Sequence, residues 1–192
     1  MQNKLKIKAG NISHLTDARY FAAYGMEWMG FNFKTNDVNK IDIETAKTII
    51  DWIEGPQIIA EFDQLNLDYI FQTCHQLQIN NIQLPIEHFT TELKDYEVFW
   101  KGKASHLNKM EAFHKNVLVE NFSDVEIVKG ILQKNENTII SLNENLELSK
   151  SIIQLPNLKA IEICGSSEDA TGLKAFDAIN NLFEWLEDEG RL

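Results

Sequence analysis

Five side chains that could move protons or hold charge sit at the ends of short apolar runs: Lys8, Glu61, Lys101, Glu120 and Glu162. A carboxyl group can give or take a proton, and a lysine stripped of water can act as a base or form a Schiff base. Lys8 has two readings, a working lysine or one paired with Glu162 or Glu120 to neutralise a buried carboxylate. Cys164 lies near the same predicted face and could be a nucleophile, although no base stands beside it in the sequence. Trp100, also at a strand end, could stack on a ligand ring. His14, His75, His88, His106 and His114 lack metal-like spacing and read as surface or capping residues. The two cysteines, Cys74 and Cys164, are too few for a disulfide framework and lack ligand spacing. Cys74 reads as a small buried apolar residue in a helix. No metal and no cofactor are expected.

Those candidates need a scaffold that brings distant strand ends together. Apolar, β-branched runs begin at Leu5, Trp28, Gln57, Asn81, Glu97, Asn116, Thr138 and Ala160. Helical spacing follows several of them, over 15–24, 43–53, 67–77, 124–132, 146–155 and 173–185, and helices are expected in the remaining intervals. Trp28, Trp52 and Trp185 are expected to pack between helices and sheet. Strands alternating with helices imply a parallel sheet with helices outside it. Eight such units predict a single-domain (β/α)8 TIM barrel over residues 1–192, with a doubly wound open sheet as the alternative. Either architecture places a ligand at the C-terminal ends of the strands.

Composition narrows the partners. The 192 residues are 44% hydrophobic and 24% charged, enough for one substantial core. A formal charge of −11 and the lack of a basic patch argue against nucleic acid and against an anionic membrane surface. The alternating Lys4-Leu5-Lys6-Ile7-Lys8 reads as a strand, not a basic block. With no charged-then-apolar leader and no apolar run near about 18 residues, a cytoplasmic protein is expected.

The segment Ile7-Lys8-Ala9-Gly10-Asn11-Ile12-Ser13-His14-Leu15-Thr16-Asp17-Ala18 resembles the opening of the phosphoribosylanthranilate isomerases of tryptophan biosynthesis. Gly30-Phe31-Asn32-Phe33 is similar to that family's second strand, and Ile82-Gln83-Leu84 to its fourth. Ile161-Glu162-Ile163-Cys164-Gly165-Ser166-Ser167-Glu168, with Gly172 and Lys174, resembles its last strand and loop. The resemblance implies a (β/α)8 barrel and an Amadori rearrangement of an aminoaldose phosphate, with a general acid to open the sugar ring and a general base to take the C2 proton.

Carried over residue by residue, the resemblance puts the family's acid at Glu120 and its base, a cysteine, at Gly10. Glycine cannot take a proton. The substrate-binding arginine falls on Asn39, the fourth-strand histidine on Pro85, and the Gly-Gly phosphate cradle after strand seven is absent. Gln83, Glu162 and the loop Gly165-Ser166-Ser167 remain as candidate substrate contacts, the loop by its anion-binding composition. The expectation is therefore a diverged barrel, a monomer or homodimer, that binds a small phosphorylated metabolite without the usual base. The alternatives are an active isomerase with Glu120 as acid and Lys8 as base, and a non-catalytic interaction protein.

Overall fold

The computed structural model describes residues 4–106, 116–142, 146–164 and 176–192. Eight strands close into one barrel in sequence order, each parallel to its neighbours. They are β1 (Lys6–Ile12), β2 (Trp28–Asn32), β3 (Gln57–Glu61), β4 (Asn81–Pro85), β5 (Glu97–Lys103), β6 (Val117–Glu120), β7 (Thr138–Ser141) and β8 (Ala160–Cys164). Closure runs through β1 and β8, where Lys6 pairs with Ala160, Lys8 with Glu162 and Gly10 with Cys164. The TIM-barrel expectation holds, and the open sheet does not.

Among the described residues six helices surround the barrel: α1 (Leu15–Ala23), α2 (Ile43–Ile50), α3 (Leu67–Leu77), α4 (Val125–Lys134), α5 (Leu146–Ile153) and α6 (Asp177–Asp188). Three begin on side-chain caps, with Asp42 accepting from the Thr45 amide, Asn66 from Tyr69 and Asp124 from Ile127. Each cap satisfies an orphan N–H of the first turn and is worth about 1 kcal/mol. Each cap closes the loop that follows a strand, so it also fixes where that loop of the C-terminal face stops. Across the closing seam Tyr20 on α1 stacks on Phe176 at 3.9 Å and donates to Asn180 of α6 at 2.5 Å.

The expected helix between β4 and β5 is not there. A single 3-10 turn, Ile86–His88, takes its place, and another, Ala104–His106, follows β5. Thr90-Thr91 is stiff at χ1 and disfavours a helix, while Ile86 and Leu93 cover the sheet from an irregular connection, both buried. Among the described residues no helix is long and apolar enough to cross a membrane.

Side chains alternate across each strand, so every second residue enters the barrel. One internal layer is apolar, built from Ile59, Phe99, Leu118, Ile139 and Ala160 with Trp28 against it. Trp28 therefore packs inside the barrel, edge-on to Phe99 at 5.9 Å, and not beneath the helices. Trp52 is 67% exposed at the end of α2, with the Arg19 guanidinium over its ring, so it too departs from expectation. Trp185 packs against the main core as expected. With Phe99 inside, Trp100 must point outward; it is buried against Phe89 at 5.3 Å and is no ligand platform.

Candidate functional site

The next layer toward the C-terminal face is charged. The same alternation that puts Ile59 in the apolar layer puts Glu61 above it, and likewise Lys101 above Phe99 and Glu162 above Ala160. Lys8 on β1 reaches both acids, 2.5 Å from Glu61 Oε1 and 2.6 Å from Glu162 Oε1, and none of the three is more than 1% exposed. Glu162 also accepts from Ser141 Oγ at 2.6 Å and from Lys101 Nζ at 3.1 Å. Lys101 lies 3.3 Å from Glu120, and Lys34, on the loop after β2, lies 3.1 Å from Glu61 Oε2. The result is one row of alternating charge: Lys34, Glu61, Lys8, Glu162, Lys101, Glu120.

Burying an isolated ion costs several kcal/mol, so this row persists only because each charge meets its opposite at hydrogen-bond distance. The pKa values report the same balance. Burial opposes the charge on Lys8, but Glu162 and Glu61 outweigh it and raise the value above the ordinary 10.5. Burial likewise works against Lys101 and is overcome, chiefly by Glu162, so that amine is also raised. Glu61 is desolvated too, yet Lys8 and then Lys34 hold it down to about 2. Glu162 is lowered in the same way by Lys8 and Lys101. Lys8, Glu61, Glu162 and Lys101 are therefore ionised across the neutral range.

Two glycines make room for it. A Cβ on Gly30 of β2 would lie 2.0 Å from Glu61 Oε1 and 2.9 Å from Lys8 Nζ. A Cβ on Gly10 would lie 2.8 Å from Glu162 Oε1 and 3.1 Å from Cys164 Sγ. The position where the resemblance expects a cysteine base is thus filled from the neighbouring strand by a carboxylate.

Above the row opens a cavity of about 410 Å³, lined by Lys34, Lys101, Lys103, Asp63, Glu87 and Glu120 together with Asn11, Gln83, Phe62, Pro85 and Gly102. Asp63 is occupied by the loop after β2, accepting from Thr35 N at 2.8 Å, Thr35 Oγ1 at 3.0 Å and Asn36 N at 3.1 Å. Asn11 stands at φ 58°, in the left-handed region, which turns its amide toward Glu61 Oε2 at 3.2 Å while its side chain accepts from Lys34. Asparagine tolerates that conformation better than most residues.

The sequence candidates divide accordingly. Glu120, Lys101 and Gln83 line the cavity, whereas Glu61 and Glu162 lie beneath it in the row. Lys8 has no exposed surface and carries its proton between two acids, so it offers no lone pair; its partners are Glu162 and Glu61, and Glu120 falls to Lys101. Asn39 is not brought to the cavity: it is exposed on the loop after β2, where its carbonyl accepts from Asn32 Nδ2 at 3.3 Å. Gly165, Ser166 and Ser167 lie outside the described residues, as does His114. Cys164 is half-buried, and desolvation, reinforced by Glu162, pushes its thiol up to about 12, which removes the thiolate a nucleophile needs. Burial does the same to Cys74.

Lys34, Asn11, Ser141 and the spatial role of Gly30 were not foreseen. Gly30 carried a signal, since a glycine inside a strand marks a close approach by another group. Among the described residues no three His, Cys, Asp or Glu side chains are grouped to hold a metal ion.

No family model matches this chain. It is 28% identical over 102 residues to an N-(5'-phosphoribosyl)anthranilate isomerase of Chlamydia caviae, an alignment covering half of each protein. A protein of the same name from Chlamydia felis is 26% identical over 102 residues. The chain thus spans about half the length of the curated relatives it matches. In fold the likeness is broader. A phosphoribosylanthranilate isomerase structure from Thermotoga maritima, described as monomers generated from a dimeric enzyme, superimposes with a TM-score of 0.77, covering 94% of this chain and 97% of that one at 19% identity. A second isomerase structure, in complex with reduced 1-(o-carboxyphenylamino)-1-deoxyribulose 5-phosphate, gives 0.76 at 19% identity and covers 91% and 94%. The resemblance read from the sequence is borne out, in sequence over half the chain and in fold over nearly all of it.

Proposed function

We propose that this phosphoribosylanthranilate isomerase-like barrel binds a small anionic metabolite of the sugar-phosphate kind at its C-terminal mouth and lacks the base for the Amadori rearrangement. One observation carries the reading: Gly10 stands at the base position, and Glu162 fills the space a side chain would need there, 2.8 Å from where a Cβ would be. The nearest alternative bases are unsuited: the Glu162 carboxylate itself is fully buried and held by Lys8, Lys101 and Ser141, which lower its proton affinity. Lys8 is held protonated out of reach of the cavity, and the Cys164 thiol is pushed up to about 12. What favours an anionic ligand is Lys34 on the cavity wall, whose ammonium is ion-paired among the described residues with Glu61 alone.

A second reading, an isomerase with rearranged groups, is favoured by Glu120. Its carboxyl reaches the cavity from the end of β6, 3.3 Å from the Lys101 ammonium, where it could act as the acid. A carboxyl one methylene longer than an aspartate moves the proton by about 1 Å, which costs roughly a hundredfold in rate.

Two measurements test the proposal together. Isomerase turnover on freshly made phosphoribosylanthranilate, followed by fluorescence with Glu120→Ala as the control for host enzyme, is expected to be absent. Turnover that vanishes in Glu120→Ala establishes the second reading instead. Ribose 5-phosphate at about 100 times its dissociation constant should stabilise the folded chain by about 2.7 kcal/mol, roughly 5–11 °C in Tm for a chain of this size. No shift at saturating concentrations removes the binding site from the proposal.

A further inference from the structure

The charged row has two ends, and both line the same cavity. Each internal member meets two opposite charges: Glu61 meets Lys34 and Lys8, Lys8 meets Glu61 and Glu162, Glu162 meets Lys8 and Lys101, and Lys101 meets Glu162 and Glu120. Each end meets one. Among the described residues Lys34 is ion-paired with Glu61 alone and Glu120 with Lys101 alone. The cavity therefore presents a cation lacking a second anion at one end and an anion lacking a second cation at the other.

A third group points the same way. Gln83 is 1% exposed, lines the cavity, and among the described residues its Oε1 accepts no hydrogen bond. A buried acceptor left unmet is unfavourable, and its complement is an N–H or O–H donor. The other charged lining residues, Lys101, Lys103, Asp63 and Glu87, sum to no net charge and so add no bias for an anion. A ligand that is only anionic answers Lys34 and leaves Glu120 facing a like charge.

We propose that the cavity takes a small anion that also carries an ammonium group, with the anionic group at Lys34, the ammonium at Glu120, and a further N–H or O–H for Gln83. The inference rests on the anion-binding reading above and adds the amine to it. An ammonium at Glu120 makes a charge-assisted hydrogen bond in a partly desolvated site, which corresponds to about tenfold in affinity at the lower end of such contacts.

The test uses two matched pairs, glucosamine 6-phosphate against glucose 6-phosphate and phosphoethanolamine against ethyl phosphate, titrated calorimetrically into the full chain near neutral pH. Within at least one pair the amine should bind about tenfold tighter. That preference should fall below about twofold in Glu120→Gln and persist in Glu120→Asp, with circular dichroism confirming that both variants fold. Lys34→Gln should weaken both members of the pair alike. Equal affinity within both pairs overturns the amine and leaves anion binding standing. An amine preference untouched by Glu120→Gln places the ammonium elsewhere and overturns the assignment. Binding of none of the four removes both the inference and the reading beneath it.

Discussion

Replacing Lys8 by methionine removes the central cation of the buried row while keeping most of the side-chain volume. Breaking a buried ion pair by deleting one partner costs about 3–5 kcal/mol, because the other charge is left in a medium that cannot solvate it. Here two carboxylates lose a partner, at 2.5 and 2.6 Å. Each keeps part of its compensation: Glu61 retains Lys34 at 3.1 Å and the Asn11 amide at 3.2 Å, and Glu162 retains Lys101 at 3.1 Å and Ser141 at 2.6 Å. The loss should therefore fall near the bottom of that range, about 3 kcal/mol, or roughly 6–12 °C in Tm for a chain of this length. Urea unfolding at neutral pH, followed by tryptophan fluorescence and circular dichroism, measures it. The variant should also invert the acid response. With Lys8 gone, burial raises one of the two acids, so mild acidification should recover stability in Lys8→Met while leaving the parent protein flat. Adding Glu162→Gln should recover part of the loss, giving a non-additive cycle. A loss below about 1 kcal/mol, or a strictly additive double variant, would refute the view that this row is held together by mutual neutralisation.

Three further outcomes follow from the same geometry. Gly30→Ala should destabilise by about 1–3 kcal/mol, since its Cβ would fall 2.0 Å from Glu61 Oε1, and Glu61→Gln should not relieve it because the amide is the same size; chemical denaturation of the two variants checks this. Glu61 is lowered to about 2 from an ordinary 4.5, and Glu162 is lowered as well, so their contribution is complete above about pH 4.5 and is lost as pH falls through the folded values. Lys8 and Lys101 are raised above 10.5, so theirs is complete below that value and lost only at still higher pH; urea midpoints across the pH range should show a plateau between those limits. Both thiols are pushed up to about 12, so Ellman's reagent at mildly alkaline pH should titrate neither cysteine rapidly in the folded chain and both after unfolding.

Much of the architecture was written locally. The runs at 57–61, 138–141 and 160–164 alternate or saturate with β-branched residues and emerge as strands, and α3 spans Leu67–Leu77 because its apolar spacing and the Asn66 cap agree. Strand ends in a parallel barrel gather at one face, so Lys8, Glu61, Lys101, Glu120 and Glu162 could be assigned to that face before any distance was known. The segment after β4 misled because its buried Ile86 and Leu93 suit a helix, while connection geometry and paired threonines decide against one. Trp52 misled because a single aromatic near a helix end has no local cue to its exposure.

Composition and periodicity determined that this chain makes alternating strands and helices with acids and lysines at one end, because both signals depend on residues within a turn or two of one another. Which lysine meets which acid depended on barrel closure. Only the β1–β8 pairing brings Lys8 beside Glu162, residues 154 apart in the chain, and only the loop after β2 brings Lys34 to Glu61. The same closure turned Gly10 from a missing side chain into the space occupied by a carboxylate. Charges separated by so much chain leave no periodic trace, and their pKa values, their partners and the cavity they frame exist only once the sheet has closed on itself.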